Sequence, residues 1–444
     1  MASPSTIDIV GSKPVFGVKS IADGAAKKAS ELLQENHELH HIFFNDQGFH
    51  NHIVHHILSL YALGASPELL KTMYDENANY QRPAMKEEKK VVQAMHDPAK
   101  FKECLGDENH YTDYLVFFQD EMTTKGWENV INEYLFADND LSNDLLVRTF
   151  SGFLHPLIHL GFGIEYSQPA IIAEALAEAC VHSTWITPLY IKSEELANAH
   201  KTTGKSTKSL MAILADMQSD QALIDSTHFD DSNKIRDGIL ARAPDTMINH
   251  ASNYFIKDAS ELSMRTAEMV HFANYFTMAA QRADKHPKVD FFYMHCANSS
   301  IFFPRFLELN WLSDASKIRL LEWKARSDLA LYASRHVPIL DVQEIARYTP
   351  KEAVSGDPWA RIIERGISCH DDGHSSKLVR ALANAKKVCV PWEGKEELGF
   401  VVKGDMWDLA GQMAVDSIDV GPRWIRGAGF EEAWADVPGR EAKL

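Results

Sequence analysis

The sequence predicts an all-α protein. Apolar residues recur with a helical period through most of the chain, helix starts are marked by capping side chains placed before proline, and no series of alternating segments joined by hairpin turns occurs. Ser66-Pro67, Asp97-Pro98, Thr349-Pro350 and Asp357-Pro358 each set an oxygen acceptor ahead of a proline suited to the first helical turn, and Glu352 completes a capping box with Thr349. The periodicity predicts helices over 22–38, 48–63, 67–78, 110–136, 141–164, 168–182, 205–219, 259–283, 288–309 and 315–334. The polar stretch ANAHKTTGKSTKS, 197–209, is the best candidate for an exposed connection, a lobe boundary inside one catalytic domain spanning 1–444.

The bulk numbers exclude several function classes. With 444 residues the chain can bury a large core. Its net charge of -17 is spread without a compensating basic block, which sets aside nucleic acid and anionic membrane as partners. No apolar run approaches the ~18 residues of a membrane span, and the N-terminal residues lack secretory and transit patterns, so a soluble cytoplasmic protein is expected. Five scattered cysteines without a CxxC pair argue against a disulfide framework or zinc ribbon. Oligomeric state stays open, a homodimer included. Histidine is the unusual count, at 21.

Eight of these histidines fall in four segments. In GFHNHIVHHILSLYALGA (48–65), His56 lies three after Ile53 and four before Leu60, so it points inward with His52 one turn before it, while His55 is expected to face solvent. In HPLIH (155–159), His155 and His159 stand one turn apart, the spacing by which one helix offers two nitrogens to one metal. DFFYMHCANSSIFF (290–303) places His295 in an apolar helix with Ser299 one turn on, and DDGHSSKLVRAL (371–382) opens a helix with His374 and Lys377 on one face. Each histidine alone reads more readily as a structural residue than as a ligand. Four segments each turning one inward favour a metal bound mainly by imidazole, a donor that suits Zn, Cu, Fe and Ni alike.

Lys377 stands at the positive end of its helix dipole, an unfavourable place for a cation. If it points into a metal site it must be neutral, which costs about 4–5 kcal/mol at pH 7 for an unperturbed amine. Carboxylation by CO₂ would turn it into an anionic oxygen ligand suited to a helix N-terminus and to a divalent ion.

The phrases NHIVHHILSLYALGA, HPLIHLGFGIEY, DFFYMHCANSSIFF and DDGHSSKLVRAL, in this order, resemble the questin oxidase-like family of fungal proteins. The resemblance implies oxidative cleavage of the central ring of an anthraquinone with molecular oxygen, in polyketide secondary metabolism. It implies one of two chemistries, that of an NADPH-dependent Baeyer–Villiger-type oxidase or that of a non-haem iron dioxygenase. No GxGxxG turn between strand and helix occurs, the nearest being GFGIE (161–165), so FAD is not expected. No HxD or HxE spacing accompanies the core histidines, so the carboxylate of a two-histidine, one-carboxylate iron site is missing, and a Lys377 carbamate would replace it.

The sequence therefore predicts a non-haem Fe(II) dioxygenase. Its expected metal ligands are His56, His159, His295, His374 and carboxylated Lys377, with His155 and His52 as alternative or supporting groups. Ser299 is expected to hydrogen-bond the carbamate. The partners are a small aromatic quinone and O₂. Rival readings are a zinc hydrolase on the same histidines and a helical scaffold in which they are incidental.

Overall fold

A computed structural model of the chain describes residues 1–352 and 356–440. Among the described residues the regular structure is helical, and extended pairing is confined to isolated bridges such as Phe43 with His50. The all-α expectation is met, and among these residues there is no strand from which a dinucleotide-binding βαβ unit could start. No helix among them is long and apolar enough to cross a membrane.

Two compact units divide the chain, one built from Met1–Thr184 and Ile367–Lys377, the other from Trp185–Gly366 and the residues from Leu378 onward. The division falls after Thr184 rather than at 197–209. That polar stretch lies inside the second unit and begins as the last turn and a half of the helix Thr187–Thr202.

The first unit is assembled from α1 (Ala25–Leu39), α2 (Ile53–Ala62), α3 (Pro67–Ala78), α4 (Tyr111–Lys125), α5 (Trp127–Leu135), α6 (Asp140–Thr149), α7 (His155–Glu165) and α8 (Pro169–Val181). Helix α8 packs against α4, α6 and α7, α7 packs against α2, and α2 packs against α1 and α3. Every residue of α2, α7 and α8 is buried. A helix apolar on all sides belongs in a core, so the polar side chains it carries must find partners there. They are His55, His56, Ser59 and Tyr61 on α2, His155, His159 and Glu165 on α7, and Glu174 and Glu178 on α8. Glu165 is accounted for locally, since its Oε1 accepts the Val15 N–H at 2.6 Å.

Three departures from the predicted helices shape this unit. Residues 110–136 break at Gly126, which takes a φ of 80°. Residues 141–164 break at Gly152, Phe153 and Leu154, whose φ angles are 55°, 53° and 70°. For Phe and Leu the left-handed region costs roughly 1–2 kcal/mol each, and in return the turn starts α7 at His155. Pro156 thus falls in the first helical turn, where its missing N–H breaks no helical bond. In 48–63 the helix begins only at Ile53, so His50 is extended and His52 is the residue at the cap.

Capping follows the sequence at Ser66, Asp97 and Asp357, whose side chains accept the N–H groups of Leu69, Ala99 and Trp359. At Thr349 it does not: residues 350–352 are not helical, Lys351 N donates to Asp416 Oδ2 at 3.0 Å, and Glu352 pairs with Arg361 at 2.9 Å. The second unit is organised round α14 (Asp314–Ala333), which packs against α11 (Pro244–Ser252), α12 (Leu262–Ala279) and α13 (Phe291–Ser300), with α9 (Thr187–Thr202) and α10 (Leu210–Gln218) beside it. It buries a Lys324–Asp328 ion pair at 2.5 Å. Beyond α15 (Pro358–Ile367) the chain enters α16 (His374–Cys389), whose first turn through Lys377 is counted with the first unit.

Candidate metal centre

The turn that precedes α16 is built by its own acidic residues. Asp371 caps it, accepting the N–H groups of Gly373 at 2.7 Å and Ser375 at 2.9 Å. Gly373 takes a φ of +89°, and a Cβ there would stand 2.6 Å from His56 Cβ, so the turn lies directly on His56. Asp372 receives the N–H of His374 Nδ1, and its Oδ2 lies 2.9 Å from His52 Nδ1. Burial works to raise the Asp372 carboxyl, but the His374 and His52 imidazoles outweigh it and hold it well below the usual carboxylate range. A proton fixed on His374 Nδ1 leaves the lone pair on Nε2, the arrangement by which a carboxylate orients a metal-binding histidine.

One turn on, Lys377 is buried, and its Nζ has no hydrogen-bond partner among the described residues. Burial pushes the amine down to about 8 despite the nearby Asp372 and Asp371 carboxylates. His55 is the matching oddity on α2. Both of its ring nitrogens lack partners, its ring stacks on Phe162 at 5.4 Å and meets His159 edge-on at 5.1 Å. Burial, then Lys377 and His159, hold it well below the usual imidazole range. The expectation that His55 faces solvent is wrong, because α2 has no solvent face. On His56, Nδ1 makes only a long 3.5 Å contact with Asn77 Nδ2, and Nε2 has no partner. Burial lowers that imidazole to about 4.

His52 and His155 pair with each other, Nε2 to Nε2 at 2.8 Å, and His155 Nδ1 donates to Gly152 O at 2.6 Å. Burial, followed by Lys377, brings His52 down to about 3. His159, expected among the same ligands as His374, turns instead to α8: its Nε2 donates to Glu174 Oε2 at 2.8 Å and its Nδ1 lies 3.6 Å from Glu178 Oε2. Glu174 also accepts from His37 Nδ1 at 2.6 Å. Burial raises the Glu174 carboxyl, yet the His159 and His37 bonds prevail and bring it to about 2.

The structure thus gathers His52, His56, His155, His159, His374 and Lys377 in the first unit. His295 and Ser299 stand on α13 in the second. There His295 Nδ1 donates to Phe291 O at 2.7 Å, and the Ser299 hydroxyl goes to its own helix, to His295 O at 2.8 Å.

Sequence reasoning passed over Asp372, His50, Glu174, Glu178 and His182, and with them the carboxylates it found missing. Among the described residues there are two groupings of two imidazoles and one carboxylate, His52–Asp372–His374 and His50–Glu178–His182. The signal was present in IIAEALAEACVH (171–182), where Glu174, Glu178 and His182 fall every fourth residue on one stripe of an apolar helix.

Fold and site define a class: an all-α protein whose wholly buried helices concentrate imidazoles, carboxylates and one partnerless amine, donors able to hold a metal. The questin oxidase-like family model matches residues 49–382, and the chain belongs to that family. It is 37% identical over 447 residues to a Baeyer-Villiger oxidase of Pestalotiopsis fici, across 99% of this chain and 100% of the relative. It is 35% identical over 450 residues to a questin oxidase of Aspergillus fumigatus, again across 99% and 100%, and 35% identical over 452 residues to an oxidoreductase of Aspergillus parasiticus, across 94% and 90%. The chain is an oxidoreductase.

Proposed function

We propose that this oxidoreductase cleaves the central ring of a hydroxyanthraquinone with O₂, as a non-haem iron dioxygenase of polyketide secondary metabolism. The observation that carries the reading is Lys377, a buried amine with no hydrogen-bond partner at the start of a helix. A surface lysine would keep its charge in water; one held dry and lowered to about 8 has a neutral fraction able to add to CO₂. The N–C bond forms, one proton leaves, and the resulting carbamate is the anion that the helix N-terminus favours.

The ligands proposed from the first unit are His56, His374 and carboxylated Lys377, which act on one another electrostatically, with His55 beside them on α2. Their fit to a metal rests on the partnerless nitrogens of His55, His56 and Lys377 and on the tautomer that Asp372 imposes on His374. Fe(II), when bound, would supply the redox chemistry that activates O₂. The chain does the rest. Asp372 keeps His374 oriented, the His52–His155 pair braces the turn from α7, and the apolar walls of α2 and α7 exclude water. The reading is supported by the family and by a relative named questin oxidase.

A second reading is favoured by relatives named Baeyer-Villiger oxidases: oxygen insertion beside a carbonyl of the same substrate class, with NADPH as the electron source. Labelled ¹⁸O₂ separates the two. Acting on the two-electron-reduced hydroquinone form of the substrate, which itself supplies the electrons, the dioxygenase places both oxygen atoms in the product and turns over with iron alone; one labelled atom and a requirement for NADPH with the quinone would establish the second reading. Activity in anaerobic buffer with stoichiometric zinc would overturn both in favour of hydrolysis.

A further inference from the structure

Glu178 is not used by the centre just proposed. It is buried on α8, and neither carboxylate oxygen accepts a hydrogen bond from the described residues. Such a group is costly unless something cationic or protic meets it. Three imidazole nitrogens surround it, all beyond hydrogen-bonding range: His50 Nε2 at 3.5 Å and His182 Nε2 at 3.9 Å from Oε1, and His159 Nδ1 at 3.6 Å from Oε2. The His50 and His182 Nε2 atoms are 2.9 Å apart.

These distances define a position. A triangle with sides of 2.9, 3.5 and 3.9 Å has a circumscribed radius of about 2.0 Å, so one point lies about 2.0 Å from His50 Nε2, His182 Nε2 and Glu178 Oε1 together. Bonds from zinc to imidazole nitrogen and carboxylate oxygen run about 2.0–2.2 Å. The Asp372 grouping differs, since there both imidazoles approach the carboxylate directly and leave no gap. We propose that His50, Glu178 and His182 form a second metal site, for a divalent transition ion such as zinc, separate from the centre at Lys377 and sharing no ligand with it.

The local structure supports the assignment. Glu178 and His182 are four residues apart at the end of α8, and His50 comes from the extended residues that precede α2, so the ion would tie that segment to the helix end. Phe43 packs edge-on against both imidazoles, at 5.3 and 5.4 Å, and Arg148 holds the His182 carbonyl. The His182 side chain is 12% exposed, which gives an ion a way in. Two neutral imidazoles, one carboxylate and a divalent ion leave a single positive charge beside the ionised Glu174.

The test counts metal in the full-length protein. Lys377→Ala protein is stripped with a chelator, reloaded with zinc ion alone, passed through citrate-containing gel filtration and analysed for elements. The proposal requires about one zinc per chain to remain, and Glu178→Gln in the same background to abolish it. Zinc-free Lys377→Ala protein overturns the proposal, as does a Glu178→Gln protein that retains the parent's zinc. His182→Gln carries the same comparison if circular dichroism shows the glutamate variant unfolded.

Discussion

Lys377→Met tests the state of the central amine most directly. The native amine sits at about 8 against an ordinary 10.5 because burial disfavours its charge. A difference of ~2.5 pH units at ~1.36 kcal/mol each gives about 3 kcal/mol of destabilisation whenever the amine is protonated in the fold. Between pH 8 and 10.5 the unfolded chain keeps a proton the native amine has released, so native stability rises with pH across that window; below pH 8 the full penalty applies. Methionine has a similar volume and no charge, so in metal-free, CO₂-depleted buffer at pH 7 the variant should be more stable by about 3 kcal/mol, the gain vanishing near pH 10.5. Urea denaturation at several pH values measures this. A variant less stable than the parent at pH 7, or a parent whose stability is flat from pH 8 to 10, would refute the reasoning. Iron binding should disappear in the same variant, so that stability is gained where function is lost.

Asp372→Asn removes the carboxylate that orients His374 and approaches His52, and metal affinity measured by competitive chelation should fall ~10–100-fold. Gly373→Ala combines an unfavourable φ with a Cβ driven to within 2.6 Å of His56 Cβ, so metal occupancy should drop and thermal unfolding should shift down by several degrees. Glu174→Gln removes an acceptor shared by His159 and His37. The parent carboxyl is depressed to about 2, so its contribution is complete above pH 4.5 and is lost as pH falls towards 2. Acid unfolding should therefore be less steep in this variant, and its stability at pH 7 should be lower by about 3 kcal/mol.

The all-α class and the histidine segments were legible because both rest on local pattern. The orientation of His55 was not. A helical wheel separates inside from outside only when an outside exists, and α2 is buried all round, so the flank that carries His55, about 100° round from His56, is another interior. Glu174, Glu178 and His182 were legible in principle by their spacing, but a search keyed to histidine dipeptides passes over them. The left-handed turn at Gly152–Leu154 left no local mark, because Phe153 and Leu154 are poor residues for it and tertiary packing imposes it. Nor could one sequence show that 367–377 returns to the first unit, since that pairing is wholly non-local.

The return of 367–377 also sets the order in which the protein can be made competent. About 180 residues separate Thr184 from Ile367, and at roughly 5–20 residues per second the ribosome needs on the order of 10–40 s to bridge them. During that interval the nascent first unit holds His52, His55 and His56 but neither Asp372 nor Lys377. Metal loading at the proposed Lys377 centre would therefore be a late event in biogenesis, gated by synthesis of a segment far downstream of the helices that make up most of the unit.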